Sequence, residues 1–122
     1  MICKILHENK NLGHLDVLCH VPLRDIISDS LLMTSKELQY ASNYSTHVDF
    51  LIVNRVSRKP VLVIETDGWA YHNAETKQHK RDEIKDSILE KYKLPLLRLS
   101  TIGSQEHIRI KSTLFQILGI SE

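Results

Sequence analysis

Three carboxylates stand at the ends of two neighbouring segments that have the composition of β-strands. Asp49 lies near the start of the first segment, and Glu65 and Asp67 lie at the end of the second. If the polar turn between them centres on Ser57, Asp49 lies across from Glu65, and the period-two alternation of a strand turns Asp67 to the same side. Carboxylates this close repel one another unless a cation joins them. Oxygen ligands favour a hard cation, so the spacing predicts a site for Mg²⁺ or Mn²⁺.

A helix that follows this hairpin is predicted to place polar side chains over the same edge. The segment from Asn73 or Thr76 to Tyr92 contains neither Gly nor Pro and has the composition of a helix. Its inward stripe is apolar toward the C-terminal end and polar toward the N-terminal end, where Gln78 and Lys85 lie. A lysine there can orient or deprotonate an attacking water and offset the charge that develops on phosphorus. The combination predicts phosphodiester hydrolysis, with these catalytic residues: Asp49, Glu65, Asp67, Lys85 and Gln78.

The other segments predict the elements that hold this edge. The predicted strands cover residues 15–21, 46–54, 59–68 and 94–100, and the further helices cover residues 2–9, 34–42 and 104–118. Thr34 or Ser35 is the expected N-cap of the second helix, and Gly119 the stop of the last. The crossover rule places the last strand parallel to the strand that carries Glu65. This order predicts an α/β fold with a mixed four-stranded sheet and helices on both faces.

Length and composition restrict the class of protein. A chain of 122 residues with 42% apolar residues is long enough for one compact domain over residues 1–122. No apolar run approaches the roughly 20 residues that span a bilayer, and the first residues do not resemble a signal peptide, so we expect a cytoplasmic chain without a membrane partner. The formal charge of +1 does not indicate a partner, because an acidic site can cancel a basic face. The short first helix suggests a truncated end, and thus the C-terminal part of a longer protein.

Basic and aromatic side chains near the predicted site are candidate contacts for nucleic acid. Lys77, Lys80 and Arg81 begin the long helix and could follow phosphates. Trp69 and Tyr71 could stack on an unpaired base. A solvated helix face and a packing role for the two aromatic residues are the alternative interpretations.

A second constellation could in principle ligate zinc. It comprises Cys3, His7, His14, Cys19 and His20. Its spacing matches no C-x-x-C pattern, and the alternation of the first strand predicts that Cys19 faces the core. In a chain without a secretory signal, the two cysteines are expected to be reduced thiols.

An ordered series of motifs resembles a known family. The series D-F, E-x-D-G, H, Q, R-D, K-D and L-P-L-L-R begins at Asp49 and ends at Arg98. It resembles the PD-(D/E)XK nuclease superfamily and, within it, the bacterial domain-of-unknown-function family 2726 with its very-short-patch-repair-like relatives. The likeness spans about residues 15–102. It implies a restriction-endonuclease-like three-layer α/β/α fold, Mg²⁺-dependent cleavage of DNA, and a place beside a helicase or other DNA-processing domain. RNA as substrate and a dimeric state stay open.

The resemblance also implies a set of site residues. By this likeness Asp49 and Glu65 are the metal ligands and Asp67 is a third acid. The set is completed by His72, Gln78, Asp82 and Lys85, with Asp82 as a group that orients Lys85 or His72.

The chain departs from the superfamily pattern at two places. The pattern has a lysine two residues after the second acid, where this chain has Asp67, so Lys85 is the candidate for that role. Relatives often contribute a glutamate from the first helix, and Glu8 is the only acid in the corresponding short segment. A nucleic-acid-binding module without cleavage and a protein-interaction domain remain the alternatives to a nuclease.

Overall fold

A mixed sheet of four strands organises the described part of the chain. The computed structural model describes residues 2–27, 29–43, 45–67, 77–100 and 106–120, with the backbone alone for Asp67, residues 77–79 and Ser100. The strands are β1 (Leu15–Pro22), β2 (His47–Asn54), β3 (Pro60–Asp67) and β4 (Leu96–Ser100). They lie in the order β1-β2-β3-β4, with β1/β2 and β2/β3 antiparallel and β3/β4 parallel. The predicted α/β class and the parallel last strand are confirmed.

Helices cover both faces of this sheet. They are α1 (Ile2–Glu8), α2 (Leu23–Ile26), α3 (Ser35–Ser42), α4 (Lys77–Lys91) and α5 (Glu106–Leu118), with one 3-10 turn at Lys10–Leu12. The apolar side chains of α1 and α5 join one buried cluster, and those of α2, α3 and α4 join the other. Within the described ranges, no helix has the length and apolar character needed to cross a membrane.

The β2–β3 hairpin sets the register of the candidate site. Phe50 pairs with Ile64 and Leu51 with Val63, so the pairing is centred on residue 57, as the sequence predicts. At the turn, Oδ1 of Asn54 accepts hydrogen bonds from two following backbone amides, at 2.9 and 3.0 Å. Such a side-chain acceptor replaces the backbone partners that a turn leaves out. Continuing the register by one residue places Asp49 beside Glu65.

The face alternation of β1 changes at His20. Leu15 and Val17 pack with the cluster of α1 and α5, whereas Leu18 and Val21 pack with the cluster of α2, α3 and α4. His20 has a φ of 51°, in the left-handed region, and this single residue rotates the strand. Cys19 precedes this change and pairs with Phe50, which packs with the cluster of α1 and α5, but Cys19 itself is an exposed free thiol, so the expectation that it faces the core is wrong.

The ends of the helices follow local sequence signals. The hydroxyl of Thr34 accepts a hydrogen bond from the Glu37 amide, and the Glu37 carboxylate accepts one from the Thr34 amide, which forms a capping box. Gly119 follows α5 with a φ of 69°, a conformation that suits glycine and ends the helix. The predicted N-cap and the predicted stop are both confirmed.

Candidate functional site

The carboxyl groups of Asp49 and Glu65 meet at the edge of the sheet where β3 ends. Oδ2 of Asp49 accepts hydrogen bonds from the backbone amide and the hydroxyl of Thr66, at 2.8 and 3.0 Å. The two carboxyl groups are also close enough for each to affect the pKa of the other. The hairpin thus brings together two of the three acids that the sequence predicts.

Lys85 reaches this acid pair from α4. Its Nζ lies 2.7 Å from Oε1 of Glu65 and also donates to the backbone carbonyl of His47 at 2.8 Å. The side chains of Lys85 and Glu65 are only 8% and 7% exposed. An ion pair this deeply buried requires good geometry and further hydrogen bonds to offset the loss of hydration. The predicted position of Lys85, on the inward face of the helix and over the acids, agrees with this arrangement.

The surroundings move the pKa values of the two acids apart. For Glu65, burial raises the pKa and the neighbouring Asp49 adds to the rise, while Lys85 opposes it; the net pKa is raised. For Asp49, burial raises the pKa, but the hydrogen bonds from Thr66, the contact with Glu65 and the charge of Lys85 outweigh burial, so the net pKa is lowered. As the pH is lowered, Glu65 therefore takes up a proton before Asp49, and Asp49 keeps its negative charge to lower pH.

A second group of charges lies beside this pair. Asp82 on α4 is buried and lies 3.7 Å from Arg98, measured between Oδ2 and Nη1. Arg98 also pairs with Asp86. The backbone of Arg98, however, is next to Glu65 in the parallel register of β3 and β4. Asp82 thus contacts Arg98, and the hypothesis that it orients Lys85 or His72 stays a prediction.

The hydroxyl of Tyr40, on α3, is affected by the negative electrostatic potential of this region. Burial raises the pKa of the Tyr40 hydroxyl to about 12, and the carboxylates of Asp82 and Glu65 contribute to the rise. A phenol here stays protonated and can donate a hydrogen bond.

Several other predicted residues are placed only in part. Trp69, Tyr71 and His72 lie outside the described residues. Asp67 ends β3, and Lys77 and Gln78 open α4, but their side chains fall outside the described part of the chain.

The structure separates Glu8 from the acid pair and exposes two of the predicted basic residues. Glu8 pairs with Lys4 at 3.9 Å on the exposed side of α1, and α1 packs in the cluster opposite to that of α4. Lys80 and Arg81 are exposed on the first turns of α4.

Two histidines that sequence reasoning did not connect with the acids lie next to Asp49. His47 precedes Asp49 by two residues on β2, and His20 lies across from it on β1, between the pairs Cys19–Phe50 and Val21–Val48. One ligand atom from each of His20, His47 and Asp49 lies within 4.8 Å of the others. The H-x-D spacing on a predicted strand was the available signal for His47, because alternate residues share a face.

The constellation of cysteines and histidines that could in principle ligate zinc does not form as a set. Cys3 and Cys19 are free and exposed, and His20 is close to His47 and Asp49.

Comparison with known proteins places the chain in a family. The family model described as "Protein of unknown function (DUF2726)" matches residues 5–117. The chain belongs to this family. Asp49, Glu65 and Lys85 all lie inside the DUF2726 match. No curated protein matches the chain, and no solved structure does.

The donor atoms of this DUF2726 domain suit a hard cation. Thr66 occupies one oxygen of Asp49 and Lys85 one oxygen of Glu65, so the second oxygen of each carboxylate is left for the other acid or for an ion. Mg²⁺ takes oxygen ligands and is commonly bound through one or two carboxylates, with water completing its shell. A cation between the acids would offset the repulsion between their negative charges. The residues present therefore fit Mg²⁺ or Mn²⁺.

Proposed function

We propose that this domain is a metal-dependent endonuclease that hydrolyses phosphodiester bonds of DNA, with a restriction-endonuclease-like three-layer fold of the PD-(D/E)XK type. The observation that carries the proposal is the contact of Asp49 with Glu65 beneath Lys85. Three separate elements, β2, β3 and α4, place these groups together. A structural ion pair needs only one acid for one lysine, whereas a second acid beside the first provides the oxygen ligands with which a hard cation is commonly bound.

Each residue has a role that follows from its contacts. Asp49 and Glu65 would hold the ion, with Asp67 as a third acid, and the ion when bound supplies charge neutralisation at the phosphate and an acidified water. Lys85 uses two of its three N–H donors on His47 and Glu65. The third donor can hold a phosphate oxygen or a water. Gln78, near the start of α4, is proposed to position the water with Lys85.

The exposed start of α4 is the proposed contact surface for nucleic acid. Lys80 and Arg81 are exposed there, one turn before Lys85. Lys77, Trp69 and Tyr71 complete the proposed surface, with DNA as the substrate and RNA as the alternative. The resemblance to nucleases extends the proposal to an accessory role beside a helicase domain in the bacterial cytoplasm.

A second candidate function follows from one specific feature. The buried Glu65–Lys85 pair is already satisfied within the protein, as expected for a domain that keeps the fold and binds nucleic acid or protein without cleaving DNA. The two candidates differ in whether Glu65 is needed for cation-dependent cleavage or only for stability.

The experiment that tests the proposal is cleavage of supercoiled plasmid and of single-stranded DNA with Mg²⁺, Mn²⁺ or EDTA. We expect Glu65→Gln to reduce cleavage by about 100-fold or more, because it removes a charge that acts on the developing transition state. DNA affinity, measured by fluorescence anisotropy, should change little.

The matched control is Glu37→Gln. Glu37 also pairs with a lysine of α4, Lys91, but it lies among hydrogen-bond donors and not beside a second acid. This variant should cleave like the unchanged protein. The hydrolase proposal fails if the unchanged protein shows no cation-dependent cleavage, and DNA binding without cleavage would establish the second candidate.

A further inference from the structure

We propose a second cation site on the same sheet edge, formed by His20, His47 and Asp49 and selective for a borderline transition ion such as Zn²⁺. It goes beyond the proposed nuclease function and does not depend on it, because a chain without any cleavage activity could still bind this ion. Asp49 is common to both sites, whereas the two histidines belong to this one alone.

His47 is already oriented as a metal ligand. Its Nδ1 lies 3.0 Å from the backbone carbonyl of Ser45. A carbonyl can only accept a hydrogen bond, so Nδ1 carries the hydrogen, and Nε2 of the neutral ring keeps its lone pair for an ion. A backbone carbonyl that holds the other ring nitrogen is the usual outer partner of a metal-ligating histidine.

His20 adopts a backbone conformation that is costly for a residue other than glycine. Its φ is 51° inside a strand. Residues held in this region cluster at functional sites, where the surrounding structure maintains them. Here the ring centroid of His20 lies 5.4 Å from that of His47, and the neighbouring pairs of the ladder place His20 directly across from Asp49.

The three ligand atoms are close enough to converge on one ion after small rotations. They lie within 4.8 Å of one another. Ligands of a tetrahedral zinc at bond lengths of about 2.0–2.1 Å stand roughly 3.4 Å apart, so no separation needs to close by more than about 1.4 Å. His20 is exposed, and His47 and Asp49 are partly exposed, so this rotation need not disturb the core.

The ligand types distinguish this site from the one between Asp49 and Glu65. Two imidazole nitrogens and one carboxylate oxygen suit Zn²⁺, Co²⁺ or Ni²⁺, whereas Mg²⁺ prefers oxygen alone. Three protein ligands also leave an open position for water or a substrate group, as in catalytic zinc sites.

The test is a titration of the metal-free full chain with Co²⁺, followed by its visible absorption, with Zn²⁺ added as a competitor. We expect a cobalt spectrum that Zn²⁺ abolishes and excess Mg²⁺ does not. His47→Ala and His20→Gly should each weaken cobalt binding at least about tenfold. Glycine is chosen at position 20 because it accepts the left-handed backbone without strain.

Two controls separate this proposal from the nuclease proposal. His14→Ala removes an exposed histidine that precedes β1, at the opposite end of the strand from His20, and should bind cobalt like the unchanged protein. Glu65→Gln should also keep cobalt affinity, even where it loses DNA cleavage. The proposal is overturned if the unchanged protein gives no cobalt spectrum, or if both histidine variants, shown to be folded by circular dichroism, bind cobalt with unchanged affinity.

Discussion

Two glutamate–lysine pairs attach α4 to the rest of the domain, and they differ in electrostatic character. Glu65 pairs with Lys85 in the middle of the helix, and Glu37 of α3 pairs with Lys91 in its last turn. Both glutamates are buried, with side chains 7% and 8% exposed. The pKa of Glu65 is nevertheless raised, whereas that of Glu37 is lowered to about 2.

The partners of each carboxylate explain the difference. Glu37 is bound by donors alone: Lys91, the backbone amide of Thr34 at 2.9 Å and the hydroxyl of Ser87 at 3.0 Å. These contacts, with that to Lys91 the largest, lower its pKa despite burial. Glu65 has Lys85, but it also faces another acid, Asp49, and burial together with this acid outweighs the effect of Lys85 on its pKa.

A buried carboxylate that is bound by donors alone is complete, and its role is structural. One that faces a second carboxylate still lacks positive charge, and a bound cation can supply it. The comparison therefore distinguishes the candidate site from a structural ion pair of the same composition on the same helix.

The largest difference in the free energy of unfolding is expected between variants of the two lysines. Lys85→Met should lower the free energy of unfolding by about 3 to 5 kcal/mol at neutral pH, because it leaves Glu65 buried without a cation. Lys91→Met should cost only about 1 kcal/mol, since Lys91 is 36% exposed and Glu37 keeps two other donors. Urea denaturation of both variants measures the difference, and equal losses would contradict the comparison.

The pH dependence of Lys85→Met provides a control on its cause. In the folded protein the pKa of Glu65 is raised above its ordinary value of 4.5, and loss of Lys85 should raise it further. A carboxyl group whose pKa is higher in the folded than in the unfolded state stabilises the fold at pH values below its unfolded pKa. This stabilisation is lost as the pH rises through its folded pKa. The loss in the variant should therefore shrink as the pH is lowered toward 4.5. A loss that stays constant with pH would indicate removed packing.

A smaller effect, with the opposite pH dependence, is expected at Glu37. Glu37→Gln keeps an oxygen for the Thr34 amide but loses the charge, so we expect a cost of about 1 to 2 kcal/mol at neutral pH. The pKa of Glu37 is lowered from its ordinary value of 4.5 to about 2 in the folded protein. The stabilisation by Glu37 is therefore complete above pH 4.5 and is lost as the pH falls from 4.5 to about 2. Denaturant titrations should show the variant and the unchanged protein converging toward pH 2. A gap that persists there would contradict the assignment.

Local sequence signals were sufficient for the frame of the site. Two apolar runs around a polar turn predicted the hairpin and its centre, and the spacing of apolar residues predicted which face of α4 carries Lys85. The centre of the hairpin places Asp49 beside Glu65, and the inward face of α4 places Lys85 over them.

Features that depend on tertiary contacts or on one backbone angle were beyond sequence reasoning. The partners of Glu37 on α4 are 50 and 54 residues away, and the capping role of Glu37 gives no sign of them. Arg98 could have bound Glu65, but the packing of α4 on the sheet gives it to Asp82 and Asp86. An alternating apolar pattern gives the face of Cys19 but not how far that face is covered, which is why Cys19 was wrongly expected in the core. Nor can such a pattern reveal the left-handed residue His20.

The smallest expected effect concerns backbone strain, and it tests whether strain also distinguishes the sheet edge that carries Asp49 and Glu65. His20 and Arg58 both have positive φ, of 51° and 63°, but Arg58 lies in the hairpin turn, at the opposite end of β2 from Asp49. Replacing either by glycine should raise the free energy of unfolding of the metal-free protein by about 0.5 to 1 kcal/mol, because glycine accepts this conformation without a Cβ clash. Added Zn²⁺ should then raise the melting temperature of the unchanged protein and of Arg58→Gly, but not that of His20→Gly. If zinc raises the melting temperature of both variants equally, the strain at His20 serves no metal site. Backbone strain then does not distinguish the sheet edge at His20 from the hairpin turn at Arg58.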